Sequence, residues 1–105
     1  MLKIYEVILV VVRELRPFIS SLEHVDGDLA RQMRRALTSV ALNTAEGMGS
    51  RGRNRAARYH TALGSARETL SCVEVSGALY DPPPPSAETL DRLRKVIGTL
   101  VNLTR

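Results

Sequence analysis

The sequence predicts an all-α protein, a single antiparallel up-down-up-down four-helix bundle over residues 1–105. Apolar residues recur every three or four positions in four separate segments, which is the spacing of one helix face. Clusters of glycine, proline, aspartate and serine lie between these segments, where turns are expected. With 105 residues, 44% of them apolar, the chain suffices for one core and is too short for two ordinary domains. Helices joined by such short connections pack as antiparallel neighbours.

The first predicted helix covers about residues 2–22. Its apolar positions share one face and are Ile4, Val7, Ile8, Val11, Val12, Leu15, Ile19 and Leu22. Their β-branched side chains would also suit a strand, but about twenty residues with interspersed charges are far longer than a typical strand. Pro17 removes a backbone donor and is expected to kink or break this helix. A turn is expected over 24–28, with Asp28 as the N-cap of the next helix.

The second predicted helix covers residues 28–47 and the third covers residues 54–80. In the second, apolar and small side chains fall on one face and arginines on the other. Gly47 is expected to end it and to begin a flexible basic loop. Asn54 is the expected N-cap of the third helix, which would be roughly 40 Å long at the rise of an α-helix. Tyr59 lies on the apolar stripe of that helix and is expected in the core.

A run of four prolines, residues 82–85, follows the third helix. Proline lacks the amide that a helix interior requires, so the run predicts a helix end and a short stiff spacer. Ser86 is the expected N-cap of the fourth helix, which covers residues 87–104. The predicted buried face of that helix consists of Leu90, Leu93, Val96, Ile97, Leu100, Val101 and Leu103.

Composition limits the classes of protein to consider. A formal net charge of +4 favours an anionic partner. The single cysteine, Cys72, excludes an internal disulfide and fits a reducing cytoplasm. The apolar run over residues 4–12 is too short and too interrupted by charge to span a bilayer, and no signal-peptide cleavage site follows it. A cytoplasmic protein without a membrane partner is therefore expected.

No catalytic or metal-ligating group has the spacing that its chemistry requires. His24 and His60 lack a second histidine or a glutamate at ligand spacing, so both are expected at the surface. Cys72 is expected to be a small buried hydrophobic residue. The glycine-rich segment 47–52 lacks the Gly-Lys-Ser/Thr ending of a phosphate-binding loop and is interpreted as a hinge. The sequence therefore predicts no catalytic residue, no metal and no cofactor, and the protein is not expected to be an enzyme.

Arginines are concentrated in the middle of the chain. Between residues 31 and 67 there are eight arginines and one acidic residue, Glu46. The planar guanidinium group matches phosphate with two hydrogen bonds, so this excess favours a nucleic-acid partner. The candidate contacts form a first group, Arg51, Arg53, Arg55 and Arg58, and a second group, Arg31, Arg34 and Arg35. The alternative is that these arginines are ordinary solvated helix faces.

Polar and small residues within the helical stripes suggest contact between subunits. Asn43 falls on the inward edge of the second helix, where a buried asparagine fixes register or oligomeric state. Gly64 and Ser65 lie in a stretch of small residues that permits close helix contact, either between subunits or within the chain alone. The candidate structural or interface residues are Asn43, Glu46, Gly47, Gly64 and Ser65.

Two ordered signatures resemble those of a known family. The first is Gln32-Met33-Arg34-Arg35-Ala36, then Ser39-Val40, then Asn43-Thr44-Ala45-Glu46-Gly47, and the second is Ala62-Leu63-Gly64-Ser65-Ala66-Arg67-Glu68-Thr69-Leu70. Together they are similar to motifs of small bacterial four-helix bundle proteins first noticed as reading frames within intervening sequences of 23S ribosomal RNA genes. The similarity covers about residues 29–70.

The resemblance implies an antiparallel bundle assembled as a ring, usually a homopentamer, with no known enzymatic activity and a role in binding nucleic acid. A related bundle is the accessory protein of diversity-generating retroelements, a basic pentamer that binds nucleic acid and the reverse transcriptase. This sequence lacks the Phe-Pro and acidic residue that usually precede the second helix. Arg55 and Arg58 replace the acidic start usual for the third helix, which favours binding to phosphate.

The sequence therefore predicts a non-enzymatic, homo-oligomeric four-helix bundle that binds RNA or DNA through arginine-phosphate contacts. The alternative is a protein-interaction scaffold or accessory subunit that docks a partner such as a reverse transcriptase.

Overall fold

The computed structural model describes residues 3–105, which form four α-helices. The helices are α1 (Lys3–Val25), α2 (Gly27–Met48), α3 (Gly52–Tyr80) and α4 (Ala87–Leu103). α1 packs against α2 and α4, and α3 packs against the same two helices. Short connections reverse the chain direction each time, which produces the antiparallel four-helix bundle that the sequence predicts. The bundle is 42 Å long, about the length of α3 alone.

α1 continues through Pro17. Of the kink or break that the sequence predicts there, the break is therefore wrong. Pro17 is exposed, whereas Leu15 and Ile19 on either side of it are buried in the core. Burial of these flanking side chains offsets the free-energy cost of the backbone hydrogen bond that proline cannot make. Leu2, at the start of the first predicted helix, lies outside the described residues.

A single residue, Asp26, connects α1 to α2. Its backbone is extended, and its side chain accepts a hydrogen bond from the Leu29 N–H at 3.0 Å, which makes it the N-cap of α2. The predicted cap, Asp28, lies instead in the first turn of α2 and pairs with Arg31 at 2.9 Å. The expected five-residue turn is wrong because α1 extends as far as Val25.

α3 begins two residues before the predicted start, and Asn54 is not its N-cap. Arg51 occupies the N-cap position, and within residues 3–105 no side chain caps this helix end. Gly52 follows with a φ of 57°, in the left-handed region that favours glycine. The Asn54 amide donates instead to the Ser50 hydroxyl at 3.1 Å. The glycine therefore sets the start of the helix earlier than the capping pattern suggests.

The core consists of two hydrophobic clusters, one toward each end of the bundle. The first contains Val11, Leu15, Ile19, Leu22, Ala30, Met33, Leu37, Cys72, Val73 and Leu93. The second contains Ile4, Ile8, Val40, Tyr59, Ala62, Leu63, Ala66, Val96 and Leu100. Each cluster draws side chains from all four helices, so both depend on the complete bundle. The expected burial of Tyr59 is confirmed, since only 3% of this residue is exposed.

The segment between α3 and α4 contains the four prolines and lies outside the helices, as predicted. Asp81 ends α3 in the left-handed conformation, with a φ of 48°. The predicted cap of α4 is confirmed, because the Ser86 hydroxyl accepts a hydrogen bond from the Thr89 N–H at 3.1 Å. None of the helices described over residues 3–105 combines the length and apolarity needed to cross a membrane.

Candidate nucleic-acid interface

The two ends of the bundle differ in charge. The α2–α3 connection lies at one end, which we call the basic end and define by Arg51, Arg53, Arg55 and Arg58. The α1–α2 turn and the proline segment lie together at the other end, where the Tyr80 hydroxyl donates to the Asp26 carboxylate at 2.6 Å. We call this the acidic end and define it by Glu23, Asp26, Asp28, Asp81 and Glu88.

The four arginines of the basic end are all exposed to solvent. Within residues 3–105, none of them has a carboxylate oxygen within the 4.0 Å of an ion pair, whereas other arginines of the chain do. Glu46, the acidic residue nearest in the sequence, is exposed and forms no ion pair with them in that part of the chain. Their positive charge is therefore available to an external anion.

The start of α3 adds uncapped backbone N–H groups to this charge. The first turn of α3 has no acidic residue, and its first backbone N–H groups have no side-chain cap within the described chain. Uncapped N–H groups at a helix start favour an anion such as phosphate. The helix terminus and the guanidinium groups therefore act in the same direction.

Two of the four arginines are held by contacts to the protein. The Nε of Arg55 donates to the Ser50 carbonyl at 2.8 Å, which leaves the terminal nitrogens of this guanidinium group for other acceptors. Arg58 Nη1 donates to Asn43 Oδ1 at 3.4 Å, a long hydrogen bond that is easily exchanged for a phosphate oxygen. The arginines are thus oriented without being neutralised.

Asn43 belongs to a hydrogen-bonded chain between α2 and α3. Its amide nitrogen donates to the carbonyl of Ser39 at 3.1 Å and to the Ser39 hydroxyl at 3.0 Å. The Ser65 hydroxyl donates to the same Ser39 hydroxyl at 2.7 Å. Asn43 and Ser65 therefore hold two helices of one chain together and also position Arg58. Ser39 joins the other two side chains, although the sequence pattern did not single it out as a site residue. Its position four residues before Asn43 places both on one face of α2 and could have indicated the contact.

Gly47 allows α2 and α3 to approach closely beside the basic end. A Cβ atom at this position would lie 2.5 Å from Cε1 of the buried Tyr59 ring, a distance that no side chain tolerates without movement. Gly47 is itself buried. Among the candidate structural residues, it thus serves packing within the chain.

Comparison with family models identifies the protein's relatives. The model described as 23S rRNA-intervening sequence protein matches residues 2–99. The chain belongs to this family. No curated protein and no solved structure gives a significant match. The resemblance inferred from two signatures over residues 29–70 is confirmed. The match includes α1, α2 and α3 and most of α4 of this 23S rRNA-intervening sequence family protein.

The second arginine group of this family member lies in a different setting. Arg31 pairs with Asp28 and Arg34 pairs with Glu23, each at 2.9 Å, while Arg35 is exposed. α2 runs without interruption between this group and the basic end, so the structure does not bring the two groups together.

Two of the candidate interface residues of this family member, Glu46 and Gly64, lie on the outer surface of the bundle. Both are exposed, and a Cβ atom at Gly64 would meet no atom of the described chain within 4 Å. Gly64 therefore makes no close helix contact within the described subunit, unlike Gly47.

The histidines and the cysteine that were considered as catalytic or metal-ligating residues lie at the surface and in the core, respectively. His24 and His60 are exposed, as predicted. Cys72 is buried in the core, and desolvation, together with the nearby charge of Glu68, raises the pKa of its thiol. Within residues 3–105, no group of three or more histidine, cysteine, aspartate or glutamate side chains is placed to hold a metal ion.

Proposed function

We propose that this protein is a non-enzymatic, homo-oligomeric four-helix bundle of the cytoplasm that binds RNA or DNA through phosphate contacts at the basic end. The observation that carries the proposal is the set of four exposed arginines without a carboxylate partner in residues 3–105, beside an uncapped helix start. Arginine forms strong, charge-assisted hydrogen bonds with phosphate, and each contact releases counterions from the nucleic acid.

The mode of binding follows from what surrounds these arginines. Tyr59, the aromatic residue nearest to them in sequence, is buried beneath Gly47 and offers no face on which a base could stack. Phosphate contacts alone supply affinity and position without reading base sequence. The expected binding is therefore strongly salt-dependent and weakly dependent on sequence.

Assembly of several subunits is supported by exposed apolar side chains on α2 and α3. Leu42 is 59% exposed and Val75 is 45% exposed, and burial of such side chains is a driving force for association. The outward Gly64 would let a second helix approach closely. The family resemblance points to a pentamer, and a ring would place several basic ends on one polyanion, which multiplies weak contacts.

The test is fluorescence anisotropy of labelled single-stranded RNA and duplex DNA titrated with the protein across a salt series. The first variant replaces Arg51, Arg53, Arg55 and Arg58 with alanine. The matched control replaces four other exposed arginines, Arg13, Arg16, Arg67 and Arg94, with alanine, so both variants lose the same charge. For the single strand, log affinity should fall with log salt at roughly 0.7 per phosphate contact.

The proposal predicts a shallower salt slope in the first variant and a slope close to that of the wild type in the control. Equal losses in both variants would show that net charge alone is responsible, and absence of binding to either probe at low salt would refute nucleic-acid binding. Light scattering tests assembly separately, because a particle of 11.6 kDa at micromolar concentration would contradict the oligomer.

A further inference from the structure

A groove lies at the acidic end, on the side of the bundle away from the arginines of α3. It runs between the second half of α1 and the proline segment and has a volume of about 610 Å³. Its walls include Phe18, Leu22 and Val25 of α1, Tyr80 of α3 and the prolines at 82–85. We call it the proline groove. Its volume falls in the range of sites that bind small molecules or side chains of a partner.

The walls of the proline groove are held in place before any partner binds. Proline fixes its own φ angle, so four consecutive prolines form a stiff wall. The Tyr80 hydroxyl is tied to Asp26 at 2.6 Å. Arg92 of α4 binds both carboxylate oxygens of Glu14, at 2.8 Å and 2.6 Å, and fixes the far end of the groove. A preformed groove costs a ligand little conformational entropy.

Large apolar side chains are exposed at and beside the rim of the groove. Val25 is 57% exposed and Tyr80 is 40% exposed, and Leu79, next to Tyr80, is 60% exposed. Exposed apolar side chains beside a groove are typical of an interaction site.

The polar atoms around the groove are mainly acceptors. Prolines present carbonyl oxygens and no N–H group. The carboxylates of Asp81 and Glu88 lie at the two ends of the proline segment and are exposed, and Arg92 Nη2 lies 3.7 Å from the Glu88 carboxylate. Of the donors nearby, Tyr80 donates to Asp26 and Arg92 to Glu14, and the Ser21 hydroxyl lies in the groove wall. This surface repels phosphate and complements an apolar group flanked by cationic N–H donors.

We propose that the proline groove docks a basic polypeptide segment of a partner protein. An apolar side chain of that segment lies between Phe18 and the proline wall, and lysine or arginine side chains beside it pair with Asp81 and Glu88. The two ends of the molecule then serve different partners, with polyanion at the basic end and a cationic peptide at the acidic end. If the protein acts as an accessory subunit, the alternative function given above, the proline groove is the surface that would bind its partner.

The experiment titrates the full-length protein with a short fluorescein-labelled peptide in which leucines and arginines alternate within a glycine-serine backbone. One comparison peptide carries glutamate in place of arginine, and a second carries serine in place of leucine. The proposal expects the first peptide to bind at least about tenfold more tightly than either comparison. Chemical shifts of the ¹⁵N-labelled protein should change around Val25 and Tyr80.

Three variants locate the peptide. Val25→Lys places a cation and a longer side chain in the groove, and we expect peptide affinity to fall by about tenfold or more. Thr99→Lys is the matched control, since Thr99 is an exposed β-branched residue on α4 outside the groove, and it should change affinity by less than about twofold. Asp81→Asn with Glu88→Gln should weaken binding by about threefold to tenfold. Asparagine tolerates the left-handed backbone of Asp81.

The outcomes separate the possible occupants. Equal binding of the arginine and glutamate peptides, or equal losses in the two lysine variants, would overturn the proposal. A lower particle mass in Val25→Lys without a change in peptide affinity would also overturn it and assign the groove to a second copy of the chain. Nucleic-acid binding is measured with different probes, so its failure leaves this test unaffected.

Discussion

The two arginine groups of this protein have the same chemistry and different surroundings. At the basic end, four exposed guanidinium groups have no carboxylate within ion-pair distance in residues 3–105. Near the acidic end, Arg31 and Arg34 are each 2.9 Å from a carboxylate. Exposed ion pairs of this kind add little stability, but they cancel charge and occupy donors. The number of arginines in a segment therefore does not by itself predict how well the segment binds phosphate. The arginines that already pair with nearby carboxylates must first be subtracted.

The largest expected effect tests this difference directly. Replacing Arg51, Arg53, Arg55 and Arg58 with alanine should lower affinity for single-stranded RNA by about 10²–10³-fold near 0.1 M salt, from the counterion release of four contacts. Replacing Arg31, Arg34 and Arg35 with alanine should lower it by about tenfold or less. Anisotropy titrations at one salt concentration measure both. Similar losses in the two variants would show that the ion pairs do not distinguish the groups.

The next effect concerns the packing that supports the basic end. Gly47→Ala should destabilise the protein by about 1–3 kcal/mol, because the added methyl group would meet the buried Tyr59 ring at 2.5 Å. Urea unfolding measures the loss. Gly77→Ala is the control, since a Cβ atom there meets no described atom within 4 Å, and it should stabilise α3 by up to about 1 kcal/mol. Two variants with equal stability would contradict the close approach of α2 and α3.

A smaller change in RNA affinity should follow when the arginines of the second group lose their carboxylate partners and become unpaired, like those of the first group. Glu23→Gln with Asp28→Asn removes the carboxylates that pair with Arg34 and Arg31. Affinity for single-stranded RNA should rise by about fivefold near 0.1 M salt, with a steeper salt slope. Glu6→Gln with Glu74→Gln changes the net charge equally at two exposed positions outside both groups and is the control. An equal rise in the control would assign the effect to net charge.

The smallest effect is a pH dependence of stability at the acidic end. The hydrogen bonds from the Tyr80 hydroxyl and from the Leu29 N–H lower the pKa of Asp26 from its ordinary value of 3.8. The ionised carboxylate therefore contributes stability that is fully present above pH 3.8 and is lost as the pH falls through the lower value of the folded state. Asp26→Asn keeps a capping oxygen and removes the charge.

Urea midpoints of the wild type and of Asp26→Asn should therefore converge as the pH falls below 3.8. The stability difference between the two proteins should be constant at higher pH, where the carboxylate stays ionised in both folded and unfolded chains. A difference that stays the same across the acidic range would show that Asp26 acts through its shape alone.

Helix ends show where sequence reasoning is weak in this protein. Asp26 and Asp28 are both good capping residues, and only the packing of α1 up to Val25 selects the first. Asn54 is a better cap than Arg51 by residue type, yet Gly52 supplies a left-handed residue that starts α3 earlier. Where two acceptable caps lie within a few residues, the local pattern does not choose between them.

The sequence by itself determined the four helices, their buried faces and the concentration of arginine, because each depends on residue types a few positions apart. Tertiary structure alone decided that Arg34 is paired, since its contact with Glu23 joins two helices, whereas the pair of Arg31 with Asp28 lies within one helix. It also decided the contact of Gly47 with Tyr59 and the walls of the proline groove. These features join residues that are distant in the chain, and only the packing of the helices brings them within reach of each other.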